Sequence, residues 1–226
     1  PVTEAADIPE VAQVLIAGGG PSGLFLALDL ASCGIASTVI EPRAVVDHTR
    51  PRAKTTNART MTHLRRLGLA GALREASPLP VDYAQDVIFC TGLTGPAAHE
   101  LRRFRNAFQL VPGRYGPQPE CGQQVPQPVL EEVLRAAAAE NPLVTFVTGW
   151  TVTGAGAAAP AADVVIADAS GAPRTIAADY VVGADGGSSA VRRSLGLRLE
   201  GGSAELSNIS ILFRSESLAS AIRLDP

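Results

Sequence analysis

The chain has 226 residues, of which 46% are hydrophobic and 18% charged, a balance that predicts a packed core rather than a disordered chain. Its formal net charge of -3 and its aromatic content of 4% argue against a dominant nucleic-acid-binding role. No apolar run reaches the roughly 18 residues that span a bilayer, so no membrane partner is expected.

The cysteines and the N-terminus bear on the cellular compartment. Cys33, Cys90 and Cys121 stand far apart with no C-x-x-C pair, which predicts a reducing environment and no metal site. No positively charged signal-peptide start is visible. Together these features predict a cytoplasmic protein.

The first elements follow the order of a dinucleotide-binding unit. Residues 11–17 (VAQVLIA) form a short apolar run that is typical of a buried parallel strand. After a glycine-rich turn, apolar residues at helical spacing continue to Gly34. Residues 36–40 (ASTVI) then predict a second strand, and Glu41 closes it.

The glycine-rich turn is a G-x-G-x-x-G motif made by Gly18, Gly20 and Gly23. Gly18 permits the tight turn, Gly20 lets a pyrophosphate approach the backbone, and Gly23 allows the helix to pack closely on the strand. The helix N-terminus offers free N–H groups to phosphates. Glu41 can accept hydrogen bonds from ribose hydroxyls and would repel a 2′-phosphate. The pattern predicts dinucleotide binding, which FAD and NAD fit equally well; the alternative is an ordinary glycine-rich turn.

Cationic side chains follow the motif. Arg43 and Arg52 lie on predicted loops, where a guanidinium can neutralise a diphosphate or hold the edge of a flavin; the alternative is that they contact no ligand. Residues 58–69 (ARTMTHLRRLGL) predict a helix with one apolar face and Gly68 as its C-cap.

The middle of the chain changes character. Residues 81–111 contain DVIFC and HELRRFRNAFQLV, which predict strands of a separate sheet, and residues 112–126 predict a connecting loop. Gln127 stands between two prolines, just before a helix that Pro128 favours at its first turn. Asn141 and the proline after it end this helix.

Short strands follow. LVTFVTG, DVVIADASG and TIAADYVVGADG predict three of them, and the Gly/Ala-rich residues 154–162 predict a hairpin loop. The last strand ends in Gly-Ala-Asp-Gly, and a helix is predicted to begin at Ser188 or Ser189. Asp185 can accept from a ribose or ribityl hydroxyl, and Gly186 lets the chain turn beside a ligand. The alternative is a simple β-turn with a helix cap.

These motifs resemble, in the same order, the class A flavoprotein monooxygenases, the single-component aromatic hydroxylases of the p-hydroxybenzoate hydroxylase type. GGGPSG, Glu41 and VVGADGGSSAVR match the family's first dinucleotide motif and its Asp-Gly motif. PRAKTTNARTMTHLRRLGL is similar to the segment of phenol and chlorophenol hydroxylases that runs beside the flavin. The resemblance covers about residues 10–200.

The resemblance implies an α/β fold: a Rossmann-like FAD-binding domain of the GR2 type with a β-meander, plus the beginning of a mainly β substrate domain. Residues 1–80 and 118–200 would form the former, and residues 81–117 and 201–226 part of the latter. The implied cofactor is FAD, with NAD(P)H as co-substrate. Nine residues would contact FAD: Gly18, Gly20 and Gly23 at the diphosphate, Glu41 at the adenosine ribose, Arg43 and Arg52 at the edges, Gln127 at the flavin, and Asp185 and Gly186 on the ribityl–diphosphate side.

The implied activity is hydroxylation of an aromatic substrate, phenolic or polyketide-type, with molecular oxygen. Lys54 stands where the phenol hydroxylase branch has an acidic residue near the ring, so it is a candidate contact for a phenolate or carboxylate. Thr62 stands where phenol- and chlorophenol-hydroxylase-like members tend to have glutamate.

The family's third motif, a Gly-Asp segment, is not found after residue 200. We therefore expect an N-terminal portion of a longer enzyme, for which a homo-oligomer or a complementing C-terminal half is a compatible partner. Two alternatives share the fingerprints. One is another flavoenzyme (halogenase, epoxidase or prenyl reductase), and the other is a non-catalytic FAD- or NAD-binding module.

Overall fold

Two compact units make up the chain, residues 1–46 with 130–203 and residues 47–129 with 204–226. The computed structural model describes residues 8–49, 52–81, 86–105, 107, 118–157, 160–202, 209 and 211–221. Within these ranges, no helix combines the length and apolar character needed to cross a membrane.

Ten strands and six helices are found in the described ranges, and several match the predicted elements closely. The strand, helix and strand at residues 11–41 have the predicted order, and the helix predicted after Gln127 begins at that residue. In chain order the elements are β1 (Val11–Ala17), α1 (Pro21–Ser32), β2 (Ser37–Glu41), β3 (Thr55–Thr56), α2 (Ala58–Arg66), α3 (Ala70–Ala76), β4 (Val87–Cys90), β5 (Glu100–Phe104), β6 (Gln123–Gln124), α4 (Gln127–Glu140), β7 (Val144–Thr148), β8 (Thr151–Ala157), β9 (Ala162–Ala167), β10 (Pro173–Gly183), α5 (Ala190–Ser194) and α6 (Glu216–Ala221).

The first unit is built on a six-stranded sheet of order β7-β2-β1-β10-β9-β8. Strands β7, β2, β1 and β10 are parallel, as a strand–helix–strand crossover requires. Strands β8, β9 and β10 form an antiparallel meander. The predicted Rossmann-like architecture with a β-meander is confirmed.

Burial explains why the apolar run at residues 11–17 forms a central strand. Leu15, Ile16 and Ala17 are fully buried, and because successive side chains of a strand point to opposite faces, both faces of the sheet are covered at β1. The core continues through the meander at Val164 and Ile166, which are also fully buried. Each large aliphatic side chain buried in this way contributes roughly 1.5–3 kcal/mol to folding.

The hairpin predicted at residues 154–162 is present, but its loop is shorter than predicted: residues 154–157 belong to β8 and Ala162 to β9, and residues 158–159 lie outside the described ranges. Residues 151–157 form β8, which pairs with β9 after a register shift between Val152 and Gly154. Helix α5 contacts this strand. Ala155 N donates to Ser194 Oγ (3.1 Å), and a Cβ at Gly154 would lie 3.6 Å from the same oxygen.

The second unit contains the predicted helix α2. Asn57 caps it by accepting a hydrogen bond from Thr60 N (2.9 Å). Gly68 lies just beyond its end with φ +76°, a left-handed conformation that favours glycine, so its predicted role at the C-terminus is confirmed. Helix α3 follows, and the sequence pattern did not indicate it.

Two small sheets complete the second unit. Strands β4 and β5 pair only with each other, which confirms the separate sheet predicted for residues 81–111 as far as that segment is described. Strands β3 and β6 pair within segments predicted to be loops. Residues 211–215 have no regular secondary structure, although SNISILFR looks strand-like; residues 106, 108–117, 203–208 and 210 lie outside the described ranges. The assignment of residues 81–117 and 201–226 to a substrate domain stays a prediction.

Candidate functional site

Gly18 and Gly23 meet the steric demands predicted for the first and third glycines of the motif. Gly18 has φ +102°, and a Cβ built on it would lie 2.5 Å from Ala184 O. A Cβ on Gly23 would collide with the carbonyl oxygen of Gly18. The glycines therefore let α1 and the end of β10 approach the β1–α1 turn closely.

Gly20 is different, because no atom of the described chain lies within 4 Å of a Cβ built there. Its backbone is extended (φ -77°, ψ -177°), a conformation open to any residue, and it is the N-cap of α1. The cap has no side-chain hydrogen bond, and the first turn of α1 contains no acidic residue. The turn thus leaves both space and N–H donors for an anionic ligand.

Asp185 follows the end of β10 and has two differently placed carboxylate oxygens. Its Oδ2 accepts hydrogen bonds from Ala190 N (2.6 Å) and Val191 N (3.3 Å), in the first turn of α5. Its Oδ1 is buried and has no hydrogen-bond partner among the described residues. Burial opposes ionisation, but hydrogen bonds from Ser189 and from the Val191 and Ala190 N–H groups outweigh it and hold the pKa of Asp185 below its usual range. The carboxylate is therefore an ionised acceptor with one oxygen unused.

The Gly-Ala-Asp-Gly segment forms the turn and helix cap of the simpler alternative, and the ligand contacts of Asp185 and Gly186 stay predictions. Ser189 caps α5 by accepting from Arg192 N (3.0 Å), as the turn-and-cap alternative expects. Gly186 has φ +79°, and no atom lies within 4 Å of a Cβ built on it. The unused Oδ1 of Asp185 is not explained by capping, and a ligand hydroxyl is the partner that it would suit.

The two fingerprints lie side by side. Ala17 is paired with Gly183 in the parallel β1–β10 ladder, and Ala184 N donates to Ala17 O (2.8 Å). A Cβ on Gly18 would lie 3.0 Å from the Cα of Asp185. Parallel pairing therefore brings two segments about 165 residues apart in sequence to one edge of the sheet, where α/β folds bind ligands.

Glu41 lies at the end of β2 and is only 3% exposed. Its Oε2 accepts from Gly19 N (2.8 Å), and its Oε1 accepts from Arg43 N (3.1 Å) and Arg43 Nε (2.7 Å). A carboxylate has about four lone-pair sites, so three N–H donors leave about one, on Oε2. Gly19 is sterically required here, since a Cβ would lie 2.8 Å from both Glu41 Cβ and Phe146 Cε2.

Two charged residues of α4 join Glu41 and Arg43 in a cluster that the sequence interpretation missed. Arg43 Nη2 lies 3.3 Å from Glu131 Oε2, and Arg135 Nη2 lies 3.7 Å from Glu41 Oε1. Glu131 is 4% exposed, and the Arg135 side chain 11%. Glu131 and Arg135 are four residues apart, so they share one helical face. The four-residue spacing of these two opposite charges was the feature of the sequence from which the cluster could have been predicted.

Lys54 and Gln127, both in the second unit, lie on neighbouring segments beside the β3–β6 pair. Val125 N donates to Lys54 O (3.0 Å) and Gln127 N to Ala53 O (2.8 Å). The amide oxygen of Gln127 accepts from Ala53 N (3.4 Å). Arg52 and Lys54 are exposed, and their side chains form no hydrogen bond or ion pair with the described part of the chain.

A polar network fixes the strand that leads to Gln127. Arg74 donates to Glu120 Oε2 (2.8 Å), to Gln123 Oε1 (3.0 Å) and to Cys121 O (3.2 Å). Gln123, 1% exposed, donates in turn to Leu79 O (2.9 Å). Because the polar groups of Arg74 and Gln123 are satisfied by one another and by their neighbours, this network links β6 to α3 within the second unit.

The first unit fits a dinucleotide on three observations. There is an open approach to the backbone at Gly20, a second one at Gly186, and a buried unpartnered carboxylate oxygen at Asp185. Glu41 has little capacity left for a ligand, because three N–H groups of the chain already donate to its carboxylate. The ligand contacts predicted for all nine FAD-site residues and for Lys54 stay predictions.

Comparison with known proteins agrees with this geometry. Residues 11–223 match the FAD binding domain family, so the chain belongs to that family. The chain is 34% identical over 217 residues to the FAD-dependent monooxygenase apdD of Emericella nidulans, covering 91% of this chain and 34% of that protein. It is 30% identical over 212 residues to a 2,4-dichlorophenol 6-monooxygenase of Cupriavidus pinatubonensis, covering 90% and 34%.

Solved structures give the same result. The flavin-dependent monooxygenase PieE, solved with FAD and substrate, superposes with a TM-score of 0.76 at 31% identity, covering 86% of this chain and 34% of that one. The predicted resemblance to FAD-dependent aromatic hydroxylases and the predicted cofactor, FAD, are confirmed. The chain spans about a third of the length of the relatives named here.

Proposed function

We propose that this chain is the FAD-binding part of a monooxygenase that uses NAD(P)H and molecular oxygen to hydroxylate an aromatic substrate, phenolic or polyketide-type. The observation that carries the proposal is the unpartnered Oδ1 of Asp185 next to the Gly18 turn. A capped turn alone needs no buried ionised oxygen without a donor, whereas a ribityl or ribose hydroxyl would supply one.

FAD, when bound, supplies the redox chemistry, and the chain's own residues bind and orient it. The N–H groups at the start of α1 would face the diphosphate across the open side of Gly20. Asp185 would accept from a hydroxyl of the ribityl–diphosphate side, and Glu41 from the adenosine ribose. Arg43 and Arg52 are assigned to the edges of the cofactor, Gln127 to the flavin, and Gly186 to the ribityl–diphosphate side beside Asp185. The division into FAD-binding and substrate domains at residues 80/81, 117/118 and 200/201 belongs to the same proposal.

The proposal is tested in two stages on the full-length protein. Purified protein is titrated with FAD, and we expect a bound-flavin absorption spectrum with one FAD per chain. NAD(P)H oxidation is then measured with and without phenols and polyketide-type aromatics, and we expect stimulation by at least one of them. Failure to bind FAD would overturn the proposal. FAD binding without stimulated NAD(P)H oxidation would instead favour the non-catalytic binding module, and a halogenated or epoxidised product another flavoenzyme.

Lys54→Met tests the proposed contact with a phenolate or carboxylate. The side chain is exposed and makes no ion pair within the described chain, so its loss should leave stability unchanged. We expect KM for an acidic aromatic substrate to rise roughly five- to ten-fold, the effect of losing about 1–1.4 kcal/mol of charge attraction. Arg66→Met, on the neighbouring helix α2, is the control. Equal kinetics for Lys54→Met and the wild type would remove Lys54 from the substrate site.

The cellular location and the partners of the protein are also proposals. All three cysteines are free thiols, which supports the proposed cytoplasmic location. An aromatic small molecule and oxygen are the proposed reaction partners. A homo-oligomer or a complementing C-terminal half is the proposed protein partner. Size-exclusion chromatography with light scattering would distinguish these two assemblies.

A further inference from the structure

Arg135 of α4 makes contacts that connect it to the end of β2. Its Nη1 donates to the carbonyl oxygens of Arg43 (3.1 Å) and Ala44 (3.2 Å). Its guanidinium lies over the ring of Phe146, 5.4 Å from the centroid. One side chain thus hydrogen-bonds to the backbone that follows Glu41 and stacks on the Phe146 ring, which leaves no room for a side chain at Gly19.

This placement is energetically expensive for an arginine. The side chain is only 11% exposed, and its Nε and Nη2 have no hydrogen-bond partner in the described part of the chain. Burial lowers the pKa of Arg135, although the charges of Glu41 and Glu131 oppose this. A methionine or leucine could pack on Phe146 without this cost, so packing alone does not account for the charge.

The cost is explained by what Arg135 does to Glu41. The turn at residues 43–44 carries Arg43, whose N and Nε both donate to Glu41 Oε1. By fixing the carbonyls of this turn, Arg135 fixes those two donors as well. With Oε1 saturated and Oε2 bound once by Gly19 N, the free acceptor site is confined to Oε2.

We propose that Arg135 is a positioning residue for recognition of the cofactor's adenosine ribose: it locks the Arg43–Ala44 turn so that Glu41 presents one carboxylate oxygen to a ribose hydroxyl. The inference rests on the proposed function, in which Glu41 contacts that ribose. It adds that discrimination for the ribose hydroxyl depends on a residue of α4 that does not itself contact the ligand.

ADP and its 2′-deoxy and 3′-deoxy analogues are suitable probes, because they contain the ribose without the flavin. Affinities are measured by calorimetry on the full-length protein. We expect the wild type to prefer ADP over one deoxy analogue by roughly ten-fold, the value of one hydrogen bond to a charged acceptor. In Arg135→Met this preference should fall to less than about three-fold. In a Glu41→Gln background, Arg135→Met should change the preference no further.

Arg174→Met is the matched control, because Arg174 also lies over an aromatic ring in the first unit, 5.4 Å from the centroid of Trp150. It should keep the wild-type preference for ADP. If Arg135→Met does not fold, Arg135→Lys replaces it. Lysine keeps the positive charge but lacks the planar guanidinium that donates to two carbonyl oxygens, so the preference of this variant for ADP should also fall. A preference unchanged in the folded variant overturns the inference while FAD binding stands. Absence of any preference in a wild type that binds FAD also overturns it. Failure of the wild type to bind FAD would instead reject the proposed function itself.

Discussion

Gly23→Ala is expected to destabilise the first unit by about 2–3 kcal/mol, the upper part of the range for overpacking a close contact. The new methyl group would collide with the Gly18 carbonyl oxygen and would lie 3.2 Å from Ile16 Cγ2. The carbonyl is backbone and belongs to the turn itself, so relief requires α1 to move away from β1. Thermal unfolding should show a Tm lowered by roughly 4–12 °C, and FAD affinity should fall with it.

Gly20→Ala separates folding from binding in the same motif. No atom of the described chain surrounds that position and its backbone is extended, so the Tm should stay within error of the wild type. FAD affinity should still fall at least about ten-fold, because the methyl group would take the space through which the diphosphate reaches the backbone. Gly71→Ala in α3, where nothing lies within 4 Å, should leave both quantities unchanged or raise the Tm slightly. A Gly23→Ala protein as stable as the wild type would contradict the steric argument.

The parts of the fold that the sequence predicted well are those that local physics determines. The strand at Val11–Ala17, the helix after it and the cap at Ser189 each follow from apolar spacing, glycine conformation or capping within a few residues. The parallel β1–β10 pairing was not predicted from the sequence. No local pattern connects residue 17 to residue 183, so the placement of Asp185 beside Gly18 needed the structure.

The errors have physical causes as well. Residues 154–157 contain Gly and Ala, which have low strand propensity, yet they form β8 because they pair with β9. Gly19 occupies a variable position of the motif, and its need for a hydrogen side chain arises from Glu41 and Phe146. Arg135 was missed because one charged residue next to an apolar stripe usually faces solvent. Tertiary contacts decided all three cases.

Asp185 has a structural role, performed by Oδ2, and a proposed role in ligand binding, assigned to Oδ1. Oδ2 holds the first turn of α5 through Ala190 and Val191, whereas Oδ1 is buried without a partner. The pKa of the carboxyl is lowered, so its contribution to stability is present at neutral pH and is lost only as the pH falls through that lowered value. An experiment on this residue must therefore distinguish loss of the helix cap from loss of a ligand contact.

Asp185→Ala is expected to weaken FAD binding roughly ten- to a hundred-fold, because a hydrogen bond to a charged acceptor is worth about 1.5–3 kcal/mol. It should also lower stability by about 1 kcal/mol through the lost cap. Asp168→Ala is the matched control: Asp168 accepts from Ser170 N (2.8 Å) and Ala172 N (3.0 Å), and its pKa is likewise lowered, by hydrogen bonds from the Ser170 hydroxyl and the Ala172 N–H. It lies at the opposite end of the 11-residue strand β10, on the order of 35 Å away. Flavin absorbance titrations should show that only Asp185→Ala weakens FAD binding, and thermal unfolding of both variants measures the stability lost with the removed hydrogen bonds. Equal FAD affinity in the two variants would mean that Asp185 only caps α5, and that its buried Oδ1 serves no ligand.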